Sequence, residues 1–175
     1  MKKALVVVDY QKDFVSGSLG FPGAEKLDEK IAAKIEENLQ SGGDLIFTFD
    51  THGEDYLDTL EGKNLPVLHC VKGSDGWKLY GKTGDYLQKA AAVTEKGAFG
   101  SLELGELLKK GQYDEVEFVG LVSSICVISN AVIAKAALPE AQITVDASCT
   151  AGADKNLHQE ALDVMAGLQI QITNR

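Results

Sequence analysis

Six short apolar runs, each parted from the next by a stretch with helical or loop character, constrain this chain more than any other feature. Ala4–Val8 is a continuous apolar run that stops at Asp9. Asp44–Asp50, Ala92–Glu95, Glu115–Val122, Gln142–Asp146 and Gln169–Thr173 follow, rich in Val, Ile, Phe and Thr. Runs of this kind read as strands buried on both faces. Between them, Glu25–Gln40 places Leu27, Ile31, Ile35 and Leu39 at i+4 steps among charged residues, which predicts an amphipathic helix closed by Ser41-Gly42-Gly43. Gly84–Ala90, Leu102–Lys109, Cys126–Leu138 and Asn156–Leu168 are expected as further helices, and Gln11–Gly23 as a loop. Strands alternating with helices imply an α/β fold: a three-layer α/β/α arrangement with a six-stranded parallel sheet, Rossmann-like and open. At 175 residues, the expectation is one domain spanning 1–175.

In such a sheet, ligands bind beyond the carboxyl ends of the strands. The residues expected there are Asp9, Asp50 with His52, Lys96, Cys126, and Asp146 with Ser148. Singly, each has an ordinary explanation. An Asp at a strand end commonly caps a turn, a Lys there is commonly solvated, and free Cys is among the most buried residue types. Together they supply a thiol, a carboxylate to take its proton and a cation to keep that carboxylate ionised. Cys126 falls at the turn from the fourth strand into a helix. There, unpaired N–H groups and the helix dipole favour a thiolate and can hold an oxyanion.

Asp50-Thr-His52 has a spacing at which both side chains reach one ion, and His69 is positioned to return as a third ligand from the irregular segment 53–83. Asp/His ligation suits a divalent ion: zinc first, with iron or manganese also compatible. His158, on the last helix, is expected to be a solvated surface residue. The net charge of −9 and a pI near 4.8 argue against nucleic acid or an anionic membrane surface as partner. Three cysteines with neither an even framework nor a CxxC pair fit a reducing cytoplasm. No G-x-G-x-x-G follows the first strand, so a dinucleotide site is not indicated.

The motifs Val6-Val-Val-Asp9-Tyr-Gln-Lys-Asp13-Phe14, Lys96-Gly-Ala-Phe99-Gly-Ser-Leu102 and Gly120-Leu-Val-Ser-Ser-Ile-Cys126-Val resemble those of the isochorismatase-like cysteine hydrolases. Asp50-Thr-His52 and His69-Cys70-Val-Lys-Gly73 resemble the metal motif of the nicotinamidases within that family. The resemblance covers nearly the whole chain. It implies Asp9, Lys96 and Cys126 as catalytic residues and the N–H groups of Val122 and Cys126 as the oxyanion hole. It also implies a cis peptide between Leu121 and Val122. Asp50, His52 and His69 would be metal ligands completed by Asp58 or Glu61, and Phe14 would pack on the substrate ring. Two departures stand out. Leu65-Pro-Val-Leu68 lacks the aromatic often found before the second histidine, and Ser123-Ser124 replaces a more usual Thr and acid.

The implied activity is hydrolysis of a small carboxamide, nicotinamide to nicotinate and ammonia in NAD salvage, by a cytoplasmic homo-oligomer. The alternatives are another hydrolase of the family, acting on a carbamoyl amide, another heteroaromatic amide or an isochorismate-type vinyl ether, or a binding or redox module on the same fold.

Overall fold

The computed structural model describes residues 1–175. Its core is a six-stranded sheet, parallel throughout, in the order β3-β2-β1-β4-β5-β6. The strands are β1 (Lys3–Val8), β2 (Asp44–Asp50), β3 (Ala92–Lys96), β4 (Glu115–Leu121), β5 (Gln142–Ala151) and β6 (Gln171–Thr173). The helices are α1 (Lys12–Val15), α2 (Asp28–Gln40), α3 (Leu60–Asn64), α4 (Gly81–Asp85), α5 (Leu102–Gly111), α6 (Ile128–Ala137) and α7 (Lys155–Gly167). Alternation along β1 sends Val6 and Val8 to one apolar layer, with Leu104, Leu108, Ala131 and Leu162 from α5, α6 and α7. Leu5 and Val7 go to the other, with Ile31 and Ile35 from α2. No helix is long and apolar enough to cross a membrane.

Several elements differ from expectation, each for a local reason. The stretch Gln11–Gly23 contains α1, a single turn too short to show a period. The helix expected from Glu25 begins as a 3-10 turn, Ala24–Leu27, and becomes α2 at Asp28. The helix expected over Gly84–Ala90 starts at Gly81 and ends at Asp85, followed by a separate 3-10 turn, Leu87–Lys89. Its start is held from α2: Asp28 accepts N–H bonds from Lys82 (2.8 Å) and Thr83 (2.9 Å), a cap supplied from far along the chain.

The larger correction concerns β5, which runs on to Ala151 instead of ending at Asp146. Its register against β4 shifts between Phe118, opposite Val145, and Gly120, opposite Thr150. Asp146 and Ser148 therefore lie within the strand, away from the thiol. Asp146 pairs with Lys34 of α2 at 2.9 Å and accepts from Ser148 and Asn174. Gly120 has φ +110°, and a Cβ there would lie 2.1 Å from the Val8 carbonyl oxygen, so only glycine lets β4 approach β1 at this point.

Candidate active site

Asp9, Asp50 and Lys96 stand at the carboxyl ends of the adjacent strands β1, β2 and β3, all of them buried. Asp9 has φ +44°, a left-handed turn that Asp tolerates better than most residues. Its Oδ1 accepts from the Thr48 hydroxyl at 2.5 Å, and its Oδ2 pairs with Lys96 Nζ at 2.6 Å. Lys96 Nζ also lies 3.5 Å from Cys126 Sγ and 3.4 Å from Asp50 Oδ1, and donates to the Ala98 carbonyl at 3.0 Å. One ammonium thus touches both carboxylates and the thiol. Burial opposes its charge, but Asp9, Cys126 and Asp50 outweigh burial and hold it protonated. Burial pushes Asp9 above the usual carboxylate range; Lys96 resists and Asp50 adds to the rise.

Cys126 lies in a π-type turn, Ser123–Val127, and the regular helix begins only at Ile128. Burial raises its thiol well above the ordinary value and Asp9 adds to this, against Lys96. Desolvation of a residue only 5% exposed opposes the thiolate that the turn would favour. The Leu121–Val122 peptide is cis. The Val122 carbonyl accepts from the N–H groups of Ile125 and Val127, both at 3.1 Å, while the Val122 N–H donates to no acceptor in the protein.

Beyond Asp50 stand the two histidines. Asp50 Oδ2 is 3.0 Å from His52 Nε2 and 3.3 Å from His69 Nε2. The ligating atoms of Asp50, His52 and His69 lie within 4.8 Å of one another, and all three residues are buried. His69 Nδ1 is 2.7 Å from the Val67 carbonyl, which can only accept, so Nδ1 carries the proton and the Nε2 lone pair faces the cluster. Each Nε2 can donate to Asp50 Oδ2 when it carries a proton and offers a lone pair when it does not, and two imidazole nitrogens this close to one carboxylate oxygen make a donor set that fits a divalent metal. Glu61 Oε1 is 3.8 Å from both Nε2 atoms. Asp58 makes no such approach, which leaves Glu61 as the fourth candidate. His52 and His69 come together because the His52 N–H donates to the Cys70 carbonyl (3.0 Å) and the Lys72 N–H donates to the His52 carbonyl (2.9 Å).

Thiol and metal cluster open into one cavity of about 300 Å³, ten of whose fifteen lining residues are hydrophobic. Phe14 is among them, its ring centroid 5.6 Å from that of His69. Other positioning residues escaped sequence reasoning. Gln11 accepts from the Asp50 N–H (2.8 Å) and donates to the Asp50 carbonyl (2.9 Å), fixing that carboxylate's backbone. Asp13 accepts from the Cys70 N–H at 2.7 Å. Buried Asn130, one helical turn after Cys126, accepts from the Ser101 N–H and donates to the Phe99 and Cys126 carbonyls. His158 is not a freely solvated residue: its Nδ1 is 2.8 Å from the hydroxyl of the fully buried Ser123, tying α7 to the Ser123–Val127 turn.

A model of the isochorismatase domain matches residues 3–175. An uncharacterized isochorismatase family protein PncA of Bacillus subtilis (strain 168) is 32% identical over 144 residues, covering 75% of this chain and 78% of that protein. The crystal structure of pyrazinamidase/nicotinamidase from Streptococcus mutans UA159 superposes with a TM-score of 0.87 at 28% identity, covering 98% of this chain and 99% of that one. The pyrazinamidase of Pyrococcus horikoshii in complex with zinc shares the fold at a TM-score of 0.86, with 24% identity and full coverage of both chains. A family match this long, together with that identity to a relative, makes the conclusion direct: this chain belongs to the isochorismatase family.

Proposed function

We propose that this chain, as one domain over residues 1–175, hydrolyses a small carboxamide, with nicotinamide as the first candidate, to the acid and ammonia through a thioester on Cys126. The observation that carries the reading is the reach of Lys96 Nζ to Asp9, Cys126 and Asp50 at one end of a largely apolar cavity. Asp9 takes the Cys126 proton as the sulfur attacks the amide carbon, and Lys96 neutralises the charge that forms. The N–H groups of Val122 and Cys126 receive the oxyanion. Asp9 then returns the proton to the departing nitrogen, releasing ammonia. Water, losing a proton to Asp9, attacks the thioester; the acid leaves and the proton goes back to sulfur.

Asp50, His52 and His69, with Glu61 beside them, would hold a divalent ion, zinc before iron or manganese. An ion held there would supply a Lewis acid to which the substrate's ring nitrogen could bind. Phe14 supplies an aromatic face for the ring. A nicotinamide substrate is supported by the histidine cluster and by the structural relative from Streptococcus mutans. A homo-oligomeric cytoplasmic enzyme of NAD salvage completes the reading, on the family resemblance and the three free cysteines.

The test is ammonia release from nicotinamide by the purified protein, before and after chelation, with Cys126→Ala as the blank. Chelator-sensitive release that disappears in the variant is expected. Equal release by Cys126→Ala would overturn the scheme.

A further inference from the structure

The catalytic cavity has two chemically different halves. Cys126, Asp50, His69 and Phe14, at its inner end, are each at most 8% exposed. Leu65, Phe99, Ile125 and Leu157 line the same cavity and are left between 38% and 50% exposed. These four come from four separate segments: the end of α3, the loop after β3, the nucleophile turn and α7. Four unrelated segments that converge on one apolar mouth form a wall, and an apolar surface continuous with a ligand cavity is a binding surface. The charged group on that side, Asp154, caps the start of α7, where its Oδ1 accepts from the N–H groups of Asn156 (2.8 Å) and Leu157 (3.1 Å).

In the amidase reading, an unsubstituted monocyclic amide has its carbonyl carbon at Cys126 and its ring against Phe14, both at the inner end, so nothing in it is called on to reach the outer wall. We propose that the preferred substrate is a neutral aromatic carboxamide bearing an apolar alkyl or aryl substituent, which lies along Leu65, Phe99, Ile125 and Leu157. This rests on the amidase reading above and narrows its substrate class. An anionic substituent would meet Asp50, Glu61 and Asp154 around the same cavity. A polar one would meet few partners on the outer wall, the Ser124 hydroxyl and the second oxygen of Asp154 among mostly hydrophobic lining residues.

The experiment compares nicotinamide with its 5-butyl and 6-butyl derivatives on the full chain. For one butyl amide, kcat/KM is expected to exceed that for nicotinamide by about tenfold, the gain from half-burying a short alkyl chain. In the double variant Ile125→Asn, Leu157→Asn the ratio of the two values should fall to about one. Because both substrates are measured on the same protein, loss of folded material cancels from the ratio. Nicotinamide turned over as well as or better than both butyl amides by the unaltered chain overturns the inference and leaves the amidase reading standing. Turnover of none of the three overturns both. A flat substrate profile, in a dimer that Leu157→Asp splits into monomers, assigns the mouth to a second copy and likewise overturns it.

Discussion

Lys96 Nζ lies 3.4 Å from Asp50 Oδ1, so the cation paired with Asp9 also contacts the carboxylate of the histidine cluster. Asp50 turns its other oxygen to His52 and His69. The two halves of the site are therefore one electrostatic unit. Removal of a charge from either half is felt by the other through a Lys96 side chain only 2% exposed.

Lys96→Met should lower kcat by about a hundredfold to a thousandfold, the scale of losing a positioned group that stabilises charge in the transition state. It should also cost about 3–5 kcal/mol of stability, because two buried carboxylates lose their shared counter-charge. Turnover assays paired with urea unfolding check both. A variant that kept a tenth of the wild-type kcat would contradict the role given to Lys96.

The pH profile follows from the two displaced groups. Asp9 must be ionised before it can accept the thiol proton, and its pKa lies above the ordinary 3.8. The kcat/KM value should therefore rise with pH through an inflection above 3.8. Cys126 stays protonated well above its ordinary 9.0, so no second inflection should appear between neutrality and pH 9. Alkylation of Cys126 by iodoacetamide should be slow at pH 7 and accelerate only in strong alkali. A thiolate already present at pH 7 in the ultraviolet titration would contradict this.

The strand ends were legible because an apolar run that stops at a charged residue needs no tertiary information: Asp9, Asp50 and Lys96 all lie where such runs stop. Asp146 was misplaced for the opposite reason. Ala147-Ser-Cys-Thr-Ala151 lacks a strand-like apolar pattern and is held as strand by pairing with β4 across a register shift. Gln11, Asp13 and Asn130 act by side-chain bonds to backbone groups 39, 57 and 29 residues away. Local patterning carries no trace of such partners. The displaced thiol was hidden too, since its burial depends on the assembled pocket and not on its place at a turn.

His52→Ala and His69→Ala should separate binding from chemistry. Each removes one imidazole from a three-residue cluster, so bound metal should fall sharply, with affinity reduced at least about tenfold. KM for nicotinamide should rise more than kcat falls, since the thiol, Asp9 and Lys96 remain. Glu61→Gln, whose oxygen stands 3.8 Å from both rings, should have a smaller effect on metal content. Metal analysis beside steady-state kinetics checks this; unchanged metal content in both histidine variants would contradict the cluster's role.

Acid stability should depend on the Lys34–Asp146 pair, which is remote from the catalytic cavity. Burial alone would raise the Asp146 carboxyl, but Lys34, Ser148 and Asn174 outweigh it and hold the carboxyl below its ordinary 3.8. A carboxyl lowered in the native state binds fewer protons there than in the unfolded chain. Its stabilisation is full above the unfolded value of about 3.9 and is lost as pH falls through the native one. Lys34→Met leaves Asp146, its side chain 1% exposed, without its cation. Stability at pH 7 should drop by about 1–2 kcal/mol, and the acid-unfolding midpoint should move to higher pH. Adding Asp146→Leu removes the stranded carboxylate and should recover most of the loss, with kcat/KM for nicotinamide within twofold of wild type throughout. Circular dichroism melts from pH 7 down to 3 measure the shift, and an acid midpoint identical in wild type and Lys34→Met would show that the pair does not set it.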